Sequence, residues 1–437
     1  MAKERIIVGI DIGTSKVSTI IASVTEEEAI SVIGVSTVES KGIKKGVVVD
    51  IDRAVDTISL ALEGAERMAG YAVSKAFISV GGNHIASLNS HGVVAISNPS
   101  GEIGPDDIAR VTEAARAISI PSSREIIHVL PRSFIVDSQD GVHDPIGMSG
   151  VRLEVETHII SGATTSMRNL VKCVQQVGVD VEDLVFNALA SSYATVSETE
   201  KELGVILVDI GGGTTSMTLF VEGSVAYSSV LPIGGRNITN DLAIGLRTSL
   251  EQAEKVKLFL GEEQQKVAYP EGDEKKEVDI KEEKEKKRSK KKKDDEIDIS
   301  HLGIPELKTV SRNFLVDGII KPRLKEIMAL IANEIKKSGY TKSLPAGIVV
   351  TGGTADTIGV KEMAKEVLNI PIRIGAPEGV SGLIDEIQSP AYSTAVGLVI
   401  YGVKTEETRS IMTPTIGLPQ VSGIFRKVGD FVKSFLP

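Results

Sequence analysis

Two aspartates, far apart in the chain, each follow an apolar β-branched run and precede a turn of glycines and hydroxyls. The first copy reads IIVGIDIGTS and contains Asp11, and the second reads VILVDIGGGTT and contains Asp209. A β-type stretch follows each copy. This order of residues predicts a buried strand, a tight turn and a returning strand. The chain therefore contains two hairpins of one design.

Two such turns that face each other across a cleft would bind a nucleotide. Backbone N–H groups at the glycines would hold phosphate oxygens, and Asp11 and Asp209 would hold a hydrated Mg²⁺. Glycine suits this position because a Cβ would keep the phosphate away from the backbone. One such turn by itself is more readily an ordinary Asp-Gly β-turn. Two matched copies favour an ATP clamp built from a duplicated fold.

A third glycine turn supports the same interpretation. Gly352 and Gly353 follow the strand GIVVT, and a helix is predicted over 357–368. Such a turn lets a base or sugar lie against the backbone, although a plain strand-to-helix turn explains the motif equally well. The chain contains neither GxxxxGK[ST] nor GxGxxG, which argues against those phosphate-binding loops.

Composition is that of a globular protein of more than one domain. Of 437 residues, 41% are hydrophobic and 25% are charged, and the net charge of −10 argues against general nucleic-acid binding. Cys173 is the only cysteine, which excludes disulfides within the chain and suits a reducing cytoplasm. No stretch approaches the roughly 20 apolar residues of a membrane-spanning helix. We also expect no signal peptide.

Apolar periodicity predicts the helices that hold the turns in place. The predicted helices span 51–71, 105–117, 166–177, 182–197, 236–261 and 307–337. Residues 271–298 are almost all Lys, Glu and Asp, and we interpret them as a solvated loop inserted in a domain. An exposed helix is the alternative there, and the basic stretch 286–293 could contact acidic lipid or an acidic partner.

The last fifteen residues, 423–437, form the most specific periodic pattern in the chain. Their apolar side chains fall on one helical face, whereas Arg426, Lys427 and Lys433 lie on the other face or its borders. The apolar residues are Ile424, Phe425, Val428, Phe431, Val432, Phe435 and Leu436. The pattern favours an interfacial membrane helix after a linker at 404–422. A helix docked on the protein's own core or in a partner's groove is the alternative.

Several longer stretches resemble the FtsA family of actin-like bacterial cell-division proteins, over nearly the whole chain. The stretches, in order, are DIGTSK (11–16), KGIKKGVVVD (41–50), VLPRSFIVD (129–137), DPIGMSGVR (144–152), DIGGGTT (209–215), LPIGG (231–235) and the terminal amphipathic segment. The aspartate–glycine turns are common to actin-like ATPases. The stretch 129–152 is more particular and is similar to the small domain that characterises this family.

The resemblance implies an α/β, actin-like duplicated ATPase fold with four subdomains and a C-terminal amphipathic helix. The implied subdomains are 1A (1–82 and 162–203, with about 380–403 packing there), 1C (83–161), 2A (204–235 and 303–379) and 2B (236–302, with the charged insert 271–298). A linker at 404–422 and the helix at 423–437 follow. The charged insert looks longer than the family usually carries.

The resemblance also assigns site residues. The implied nucleotide-binding residues are Gly13, Thr14, Ser15, Lys16, Gly212, Gly213, Thr214, Gly235, Glu254, Lys257, Gly352 and Gly353. Asp11 and Asp209 would hold Mg²⁺ through water. Glu254 and Lys257 would reach the adenosine, although by themselves they read as a surface ion pair. Arg312 lies on the helix where the family binds FtsZ.

By the same resemblance, the partners are ATP with Mg²⁺, the C-terminal tail of FtsZ, other copies of the chain in filaments, and anionic lipid. Other divisome proteins would bind through subdomain 1C. The expected location is the cytoplasmic face of the cell membrane at the division site. No residue stands out as a base for water, so we expect at most a slow ATPase. A pilus-assembly actin homologue and a small-molecule kinase of the same superfamily are the alternatives.

Overall fold

The computed structural model describes residues 5–268, 295–304, 307–383, 385 and 387–412. The chain divides into a compact unit of residues 1–403 and a second unit of residues 404–437. The predicted membrane segment 423–437 and residues 271–294 of the charged insert lie outside the described residues. Among the described residues, no helix combines the length and the apolar character that crossing a bilayer requires.

The described chain contains both strands and helices, with several runs of consecutive strands. The strands are β1 (Arg5–Ile12), β2 (Lys16–Val24), β3 (Ile30–Glu39), β4 (Ile43–Lys44), β5 (Val47–Val48), β6 (Lys75–Val80), β7 (Ala86–Ala95), β8 (Arg124–Val136), β9 (Gln139–Val142), β10 (Arg152–Ala163), β11 (Asp180–Phe186), β12 (Val205–Ile210), β13 (Thr215–Val221), β14 (Ser224–Leu231), β15 (Glu296–Asp298), β16 (Thr309–Ser311), β17 (Gly347–Thr351), β18 (Ile372–Ile374) and β19 (Ser381–Gly382). The α-helices are α1 (Ile51–Ala69), α2 (Pro105–Arg116), α3 (Thr164–Gln176), α4 (Asn187–Thr195), α5 (Glu198–Leu203), α6 (Gly235–Leu246), α7 (Leu250–Ala268), α8 (Arg312–Leu315), α9 (Lys321–Ser338), α10 (Val360–Leu368) and α11 (Ser393–Met412). A π-helix at Val316–Ile320 joins α8 to α9.

Two large sheets share one strand arrangement, which is the structural sign of duplication. In the first sheet β3, β2 and β1 form an antiparallel meander, and β6 and β11 continue in parallel beyond β1. In the second sheet β14, β13 and β12 form the meander, and β17 and β18 continue in parallel. Asp11 and Asp209 therefore lie at equivalent positions, near the carboxyl end of the central strand of each sheet.

Helices cover both sheets because their apolar positions recur at helical spacing. Helix α1 buries Ala54, Ile58, Ala61 and Leu62, as the periodicity predicts. Its C-cap is Gly70, whose φ of 65° ends the helix two residues before the predicted limit. Apolar residues of α11 return to the first sheet, where β19 also pairs with β3.

A third sheet is inserted between β6 and α3. Its strand order is β7, β10, β8, β9, and α2 packs on one face. Helix α2 begins at Pro105, and Asp107 accepts a hydrogen bond from the Gly104 N–H in its first turn. Gly92 lies so close to α2 that a Cβ would overlap the Ala115 backbone N. This inserted sheet packs around its own small apolar core.

The helix predicted at 182–197 is wrong in its first part. Residues 180–186 form β11, which pairs in parallel with β6, and α4 begins only at Asn187. Leu184 and Ala188 have helical spacing, so the local pattern fits a helix as well as a strand. The free edge of β6 decides the outcome, and that edge is a tertiary feature that local periodicity does not contain.

Three other predicted segments also differ from the structure. The 236–261 helix is two helices, because Arg247 takes a φ of 53° and Ser249 then accepts a hydrogen bond from the Gln252 N–H. The 307–337 helix begins instead with β16, whose partner β15 occupies the last three residues, 296–298, of the segment interpreted as a solvated loop. The linker predicted from 404 is helical as far as Met412, since α11 continues.

Candidate nucleotide-binding cleft

The first turn, Gly13–Ser15, closes a tight hairpin. The register pairs Asp11 with Ser18, and the Gly13 N–H donates to the Lys16 carbonyl at 3.0 Å. Ser79, near the end of β6, donates its hydroxyl to Asp11 Oδ1 at 2.7 Å. The Asp11 carboxylate is thus oriented at the carboxyl edge of the first sheet.

The second turn, Gly211–Thr214, repeats this geometry with a more enclosed carboxylate. Asp209 pairs with Ser216, and the Gly211 N–H donates to the Thr214 carbonyl at 2.9 Å. Asp209 is only 4% exposed. Two buried hydroxyls donate to its Oδ2: Ser191 at 2.7 Å and Thr394 at 3.0 Å. Helices α4 and α11 therefore hold this side chain in one orientation.

The two turns meet. A Cβ on Gly212 would overlap Ser15 Oγ, and one on Gly213 would lie 2.8 Å from Thr14 Oγ1. Side chains from the first turn occupy the space that side chains of the second turn would need. The structure thus brings together the predicted phosphate residues of both hairpins, and the glycines are required by this contact.

The third turn, Gly352–Asp356, joins the same cluster. The Thr354 hydroxyl donates to the Gly211 carbonyl at 3.0 Å. Gly352 has a φ of 86°, and a Cβ there would overlap Asp209 Oδ1. Gly353 differs, because a Cβ would find only Ala391 Cβ, at 3.6 Å. Gly352 is therefore needed for packing, whereas Gly353 leaves open space at the surface of the turn.

Thr239, a residue that the sequence did not single out, connects Gly235, Glu254 and Lys257. The Thr239 hydroxyl donates to Glu254 Oε2 and also lies 3.2 Å from the Gly235 carbonyl, and Lys257 Nζ lies 3.1 Å from that hydroxyl and 2.7 Å from Glu254 Oε2. Lys257 is 6% exposed, so the pair is not the surface ion pair that its spacing also allowed. A Cβ on Gly235 would overlap Thr354, which places this group beside the third turn.

Burial disfavours the charged forms of the ionisable side chains in the cleft. Burial raises the pKa of Asp11 to about 6, and nearby Asp209 adds to the rise while Ser79 and Lys16 oppose it. Burial also raises the pKa of Asp209. Lys16, whose ammonium lies 3.7 Å from the centre of the Tyr392 ring, has its pKa lowered to about 8 by burial, against the attraction of nearby carboxylates. A site that disfavours its own carboxylate charges is suited to bind a cation.

The donor set fits a magnesium ion that shares a nucleotide. Within the described residues no three acidic, histidine or cysteine side chains converge closely enough to form a metal cage. Magnesium in nucleotide sites takes one or two carboxylates and completes its shell with water and phosphate oxygens. Asp11 and Asp209 match that requirement, whereas a structural metal site would need more ligands.

Sequence reasoning missed three polar residues that hold the cleft aspartates, Ser79, Ser191 and Thr394. It also missed Asn187, which lies one helical turn before Ser191 in α4. Asn187 begins α4 next to Gly81, and its Oδ1 is buried without a hydrogen-bond partner among the described residues. Each is an isolated residue outside any motif. Only the strand order, which places β6 and β11 beside β1, could have indicated Ser79 and Asn187.

Arg312 lies beside an apolar groove on another part of the molecule. It opens α8, and its backbone N–H donates to the Asp295 carbonyl at 2.6 Å. The groove, of about 380 Å³, does not include Arg312 itself. Its lining residues are Asp241, Ile244, Gly245, Phe314, Gly318, Ile319, Pro322, Arg323 and Glu326. Ile244 is 77% exposed and Phe314 49% exposed, which is unusual for large apolar side chains.

Comparison with known proteins decides the family. Residues 82–161 match the model described as the SHS2 domain inserted in FTSA, and residues 206–397 match that of cell division protein FtsA. Cell division protein FtsA of Pseudomonas aeruginosa is 40% identical over 402 residues, which are 92% of this chain and 90% of that protein. The chain belongs to the FtsA family. FtsA of Bacillus subtilis is 38% identical over 404 residues, covering 92% of this chain and 85% of the relative.

Solved structures agree on the fold. The PilM–PilN type IV pilus biogenesis complex superposes with a TM-score of 0.62 at 15% identity, covering 91% of this chain and 98% of the matched one. Identity at that level shows shared architecture alone. Together with the duplicated sheets, it confirms the predicted actin-like α/β fold. The model match at 82–161 coincides with the inserted sheet, which is therefore the FtsA-type SHS2 domain.

Proposed function

We propose that this FtsA-family chain binds ATP with Mg²⁺, polymerises, and tethers FtsZ filaments to the cytoplasmic face of the cell membrane through residues 423–437. The observation that carries the nucleotide part is the convergence of three glycine turns around two aspartates. Thr354 links the third turn to the second, and Ser15 packs against Gly212. Family membership supports the cell-division role.

In this proposal the first two turns hold the phosphates. Backbone N–H groups of Gly212 and Gly213 donate to phosphate oxygens, and the hydroxyls of Thr14, Ser15 and Thr214 add side-chain donors. Gly13 closes the first turn beside the phosphates, because its N–H is already bonded to the Lys16 carbonyl. Lys16 contributes a positive charge. A bound Mg²⁺, held by Asp11 and Asp209 through water, would neutralise phosphate charge. Glu254 and Lys257 reach the adenosine, and Gly352 and Gly353 line the base.

Hydrolysis would depend on Asn187. A buried amide oxygen without a partner is costly, and such groups mark functional sites. Asn187 Oδ1 could accept a hydrogen bond from an attacking water but is too weak a base to remove its proton, so we propose slow turnover. Asn187→Ala should lower the ATPase rate about tenfold or more while Mg·ATP affinity stays unchanged. Equal phosphate release by the parent and the variant would remove Asn187 from the mechanism.

Membrane binding would use the amphipathic segment. Burying one large apolar side chain contributes roughly 1.5–3 kcal/mol, and each basic residue near anionic lipid about 1 kcal/mol. The entropic cost of ordering a short helix opposes membrane binding, so one tail binds weakly and an assembly of tails binds strongly.

Filament formation is the next part of the proposal. Head-to-tail contacts of an actin-like subunit do not close into a ring, so they generate filaments. Electron microscopy on lipid monolayers should show filaments rather than isolated subunits.

The membrane test compares two double variants of equal charge. Phe431→Glu with Phe435→Glu places two anions on the apolar face, whereas Gly429→Glu with Ser434→Glu places them elsewhere on the segment. In co-sedimentation with anionic liposomes, the first variant should stay in the supernatant and the second should pellet nearly as well as the parent. Pelleting of the first variant at the parental level would show that another segment anchors the chain, with 286–293 as the next candidate.

The FtsZ tail would bind the apolar groove near Arg312. Two exposed apolar residues allow a matched test, since Phe314 is 49% exposed in the groove and Leu258 is 51% exposed outside it. Phe314→Glu should weaken binding of an FtsZ tail peptide about tenfold or more, as expected for an anchor residue. Leu258→Glu should not. Fluorescence polarisation with equal affinities for both variants would place the peptide elsewhere.

Neither alternative function gains support. The pilus complex shares the fold at 15% identity, whereas relatives of 38–40% identity are cell division proteins. A small-molecule kinase needs a general base for the substrate hydroxyl and a closed substrate pocket. The three cleft turns follow or contain three aspartates, Asp11, Asp209 and Asp356, that could be considered as such a base. The first two are assigned to the metal. Asp356 accepts a hydrogen bond from Ser389 at 2.7 Å.

A further inference from the structure

Strand β14 is the outer strand of the second sheet, and the inserted SHS2 sheet covers it with side chains instead of a further strand. The Ser87 hydroxyl donates to the Ser228 carbonyl at 2.7 Å, and Asn89 Nδ2 donates to the Ala226 carbonyl at 3.3 Å. His158 Nε2 lies 3.1 Å from Ser228 Oγ. These contacts satisfy backbone groups of an edge strand that would otherwise be open to pairing.

The network is satisfied in one arrangement of protons. Since the Asn89 amide nitrogen donates to Ala226, its Oδ1 must accept, and His158 Nδ1, at 2.7 Å, must be the donor. Burial, with nearby Arg132 and His128, lowers the pKa of His158 to about 3, so the ring is neutral at physiological pH. Its Nε2 therefore accepts from the Ser228 hydroxyl. We name Ser87, Asn89, His158 and Ser228 the β14 latch.

The inserted sheet is attached to the two halves of the molecule in different ways. It is continuous in chain with the first half, and there the Thr164 N–H of α3 donates to the Ser123 carbonyl at 3.0 Å, a bond between backbone groups. The described hydrogen bonds between the inserted sheet and β14 all involve a side chain. One of them runs from Ser224 Oγ to the Arg132 carbonyl at 2.9 Å. Water can replace such bonds, and polar contacts of this kind between domains permit relative motion.

Strand β14 leads directly to the second turn of the cleft. Its last residue, Leu231, pairs with Thr215. The chain then passes to Gly235 and Arg236, whose N–H groups donate to the carbonyls of Gly211 at 2.9 Å and Gly212 at 2.8 Å. A displacement of the second turn away from the first must therefore move β14 relative to the inserted sheet.

From this geometry we infer that the β14 latch couples the inserted SHS2 sheet to nucleotide retention. The latch bridges the two halves outside the cleft, so it favours the arrangement in which the first and second turns are in contact. Opening the cleft breaks the latch, and breaking the latch favours opening. The coupling is reciprocal in binding free energy, so a ligand that fixes the inserted sheet against β14 would also raise nucleotide affinity. This inference rests on the proposed ATP binding.

The test measures release of a fluorescent ATP analogue with Mg²⁺ from the full chain by stopped flow, after addition of excess ATP. Ser87→Ala with Asn89→Ala removes both latch hydrogen bonds to the β14 carbonyls and should release the analogue about three- to tenfold faster. Ser90→Ala is the matched control, because the Ser90 hydroxyl donates to the Ala115 carbonyl at 2.8 Å within the inserted domain. It should release at the parental rate. Parental release by a folded latch variant, or equal acceleration by Ser90→Ala, would overturn the inference.

A second variant decides the case if the latch variant does not fold. Ser87→Cys with Ser228→Cys would cross-link the two elements on oxidation, and the natural Cys173 is buried. The oxidised form should release the analogue more slowly than the reduced form, and equal rates would overturn the coupling. A parent chain that binds no nucleotide would refute the proposed ATP site itself, and with it the inference. Tight binding with unaltered release would refute the latch alone.

Discussion

The two hairpins of the cleft have the same strand register, but side chains of the first turn fill the space between them while the second turn contributes only glycine backbone there. The first turn carries side chains, Thr14 and Ser15, and its Asp11 is held by one hydroxyl and is partly exposed. The second turn is bare at Gly212 and Gly213, and its Asp209 is buried and held by two hydroxyls. The copies have therefore become complementary: one supplies side-chain donors, and the other supplies backbone.

This division of roles explains why glycine is required in the second turn. Side chains from the first turn already occupy the position of the missing Cβ atoms. It also separates two kinds of glycine in the cleft. Gly212 and Gly352 are needed for packing within the protein, while Gly353 faces open space and is free to contact a ligand.

The largest expected effect comes from closing the space between the hairpins. Gly212→Ala would drive a methyl group into Ser15 and should lower the free energy of unfolding by about 2–3 kcal/mol, since overpacking of a tight contact costs that much. Adding Ser15→Gly should restore most of the loss. Denaturant titrations of both single variants and the double variant measure the coupling, and additive losses would show that the two residues do not compete for space.

Gly353→Ala is the control for that experiment. Its new methyl group would meet only Ala391 at ordinary contact distance, so stability should change by less than about 0.5 kcal/mol. If the base lies on this turn, the same variant should nevertheless weaken Mg·ATP binding. A large loss of stability would contradict the difference between the two glycines.

The next effect tests the unequal support of the two aspartates. Ser191→Ala with Thr394→Ala removes both hydroxyls from Asp209 and should weaken Mg·ATP binding about tenfold or more, as is typical when groups that orient a metal ligand are lost. Ser79→Ala removes the single hydroxyl on Asp11 and should cost only a few-fold. If calorimetric titrations show the larger loss of Mg·ATP affinity for Ser79→Ala, Asp11 is the more important ligand.

The smallest effect is the pH dependence that Asp11 confers. Its pKa is raised to about 6, so below that pH the carboxyl holds its proton and the metal must displace it. Mg·ATP affinity should therefore fall as the pH decreases through 6, by about fourfold at pH 5.5 relative to neutral pH. Asp11→Asn should bind more weakly and show a shallower dependence on pH, to which Asp209 and the terminal phosphate of ATP still contribute. An affinity that rises on acidification would contradict the assignment.

The raised pKa also has a consequence for stability. Because the folded state binds this proton more tightly than the unfolded state, the stabilising contribution of Asp11 is present below about pH 4 and is lost as the pH rises through 6. Lys16, whose pKa is lowered to about 8, is likewise charged at a cost near neutral pH. The cleft is thus stabilised by a ligand that supplies the compensating charges.

Local sequence carried enough information to predict the hairpins and most of the long helices. An apolar run that ends in Asp and glycine specifies a strand and a turn without reference to the rest of the molecule, and α1 shows its buried face in its own spacing. The first part of 182–197 was mispredicted because β11 pairs with the distant strand β6. The start of 307–337 was mispredicted because β16 pairs with β15, whose charged residues carry no apolar strand pattern.

The cleft itself was only partly predictable, for a related reason. Both aspartates and the glycines carry a motif, whereas the groups that orient them do not. Ser79, Ser191 and Thr394 come from three separate elements, and only the strand order and helix packing bring their hydroxyls to the carboxylates. A single hydroxyl in a strand or helix carries no local signal of such a role.

The measurement that tests the central claim most directly is a calorimetric titration of Mg·ATP into the full chain and into Asp209→Asn. The amide keeps the size of the buried side chain and removes its charge, and thermal unfolding verifies that the variant is folded. A nucleotide clamp between the hairpins predicts micromolar or tighter binding by the parent and an affinity about 100-fold lower for the variant, as for loss of a charged metal ligand. Equal affinities in the two titrations, or no binding by the parent, would contradict the account.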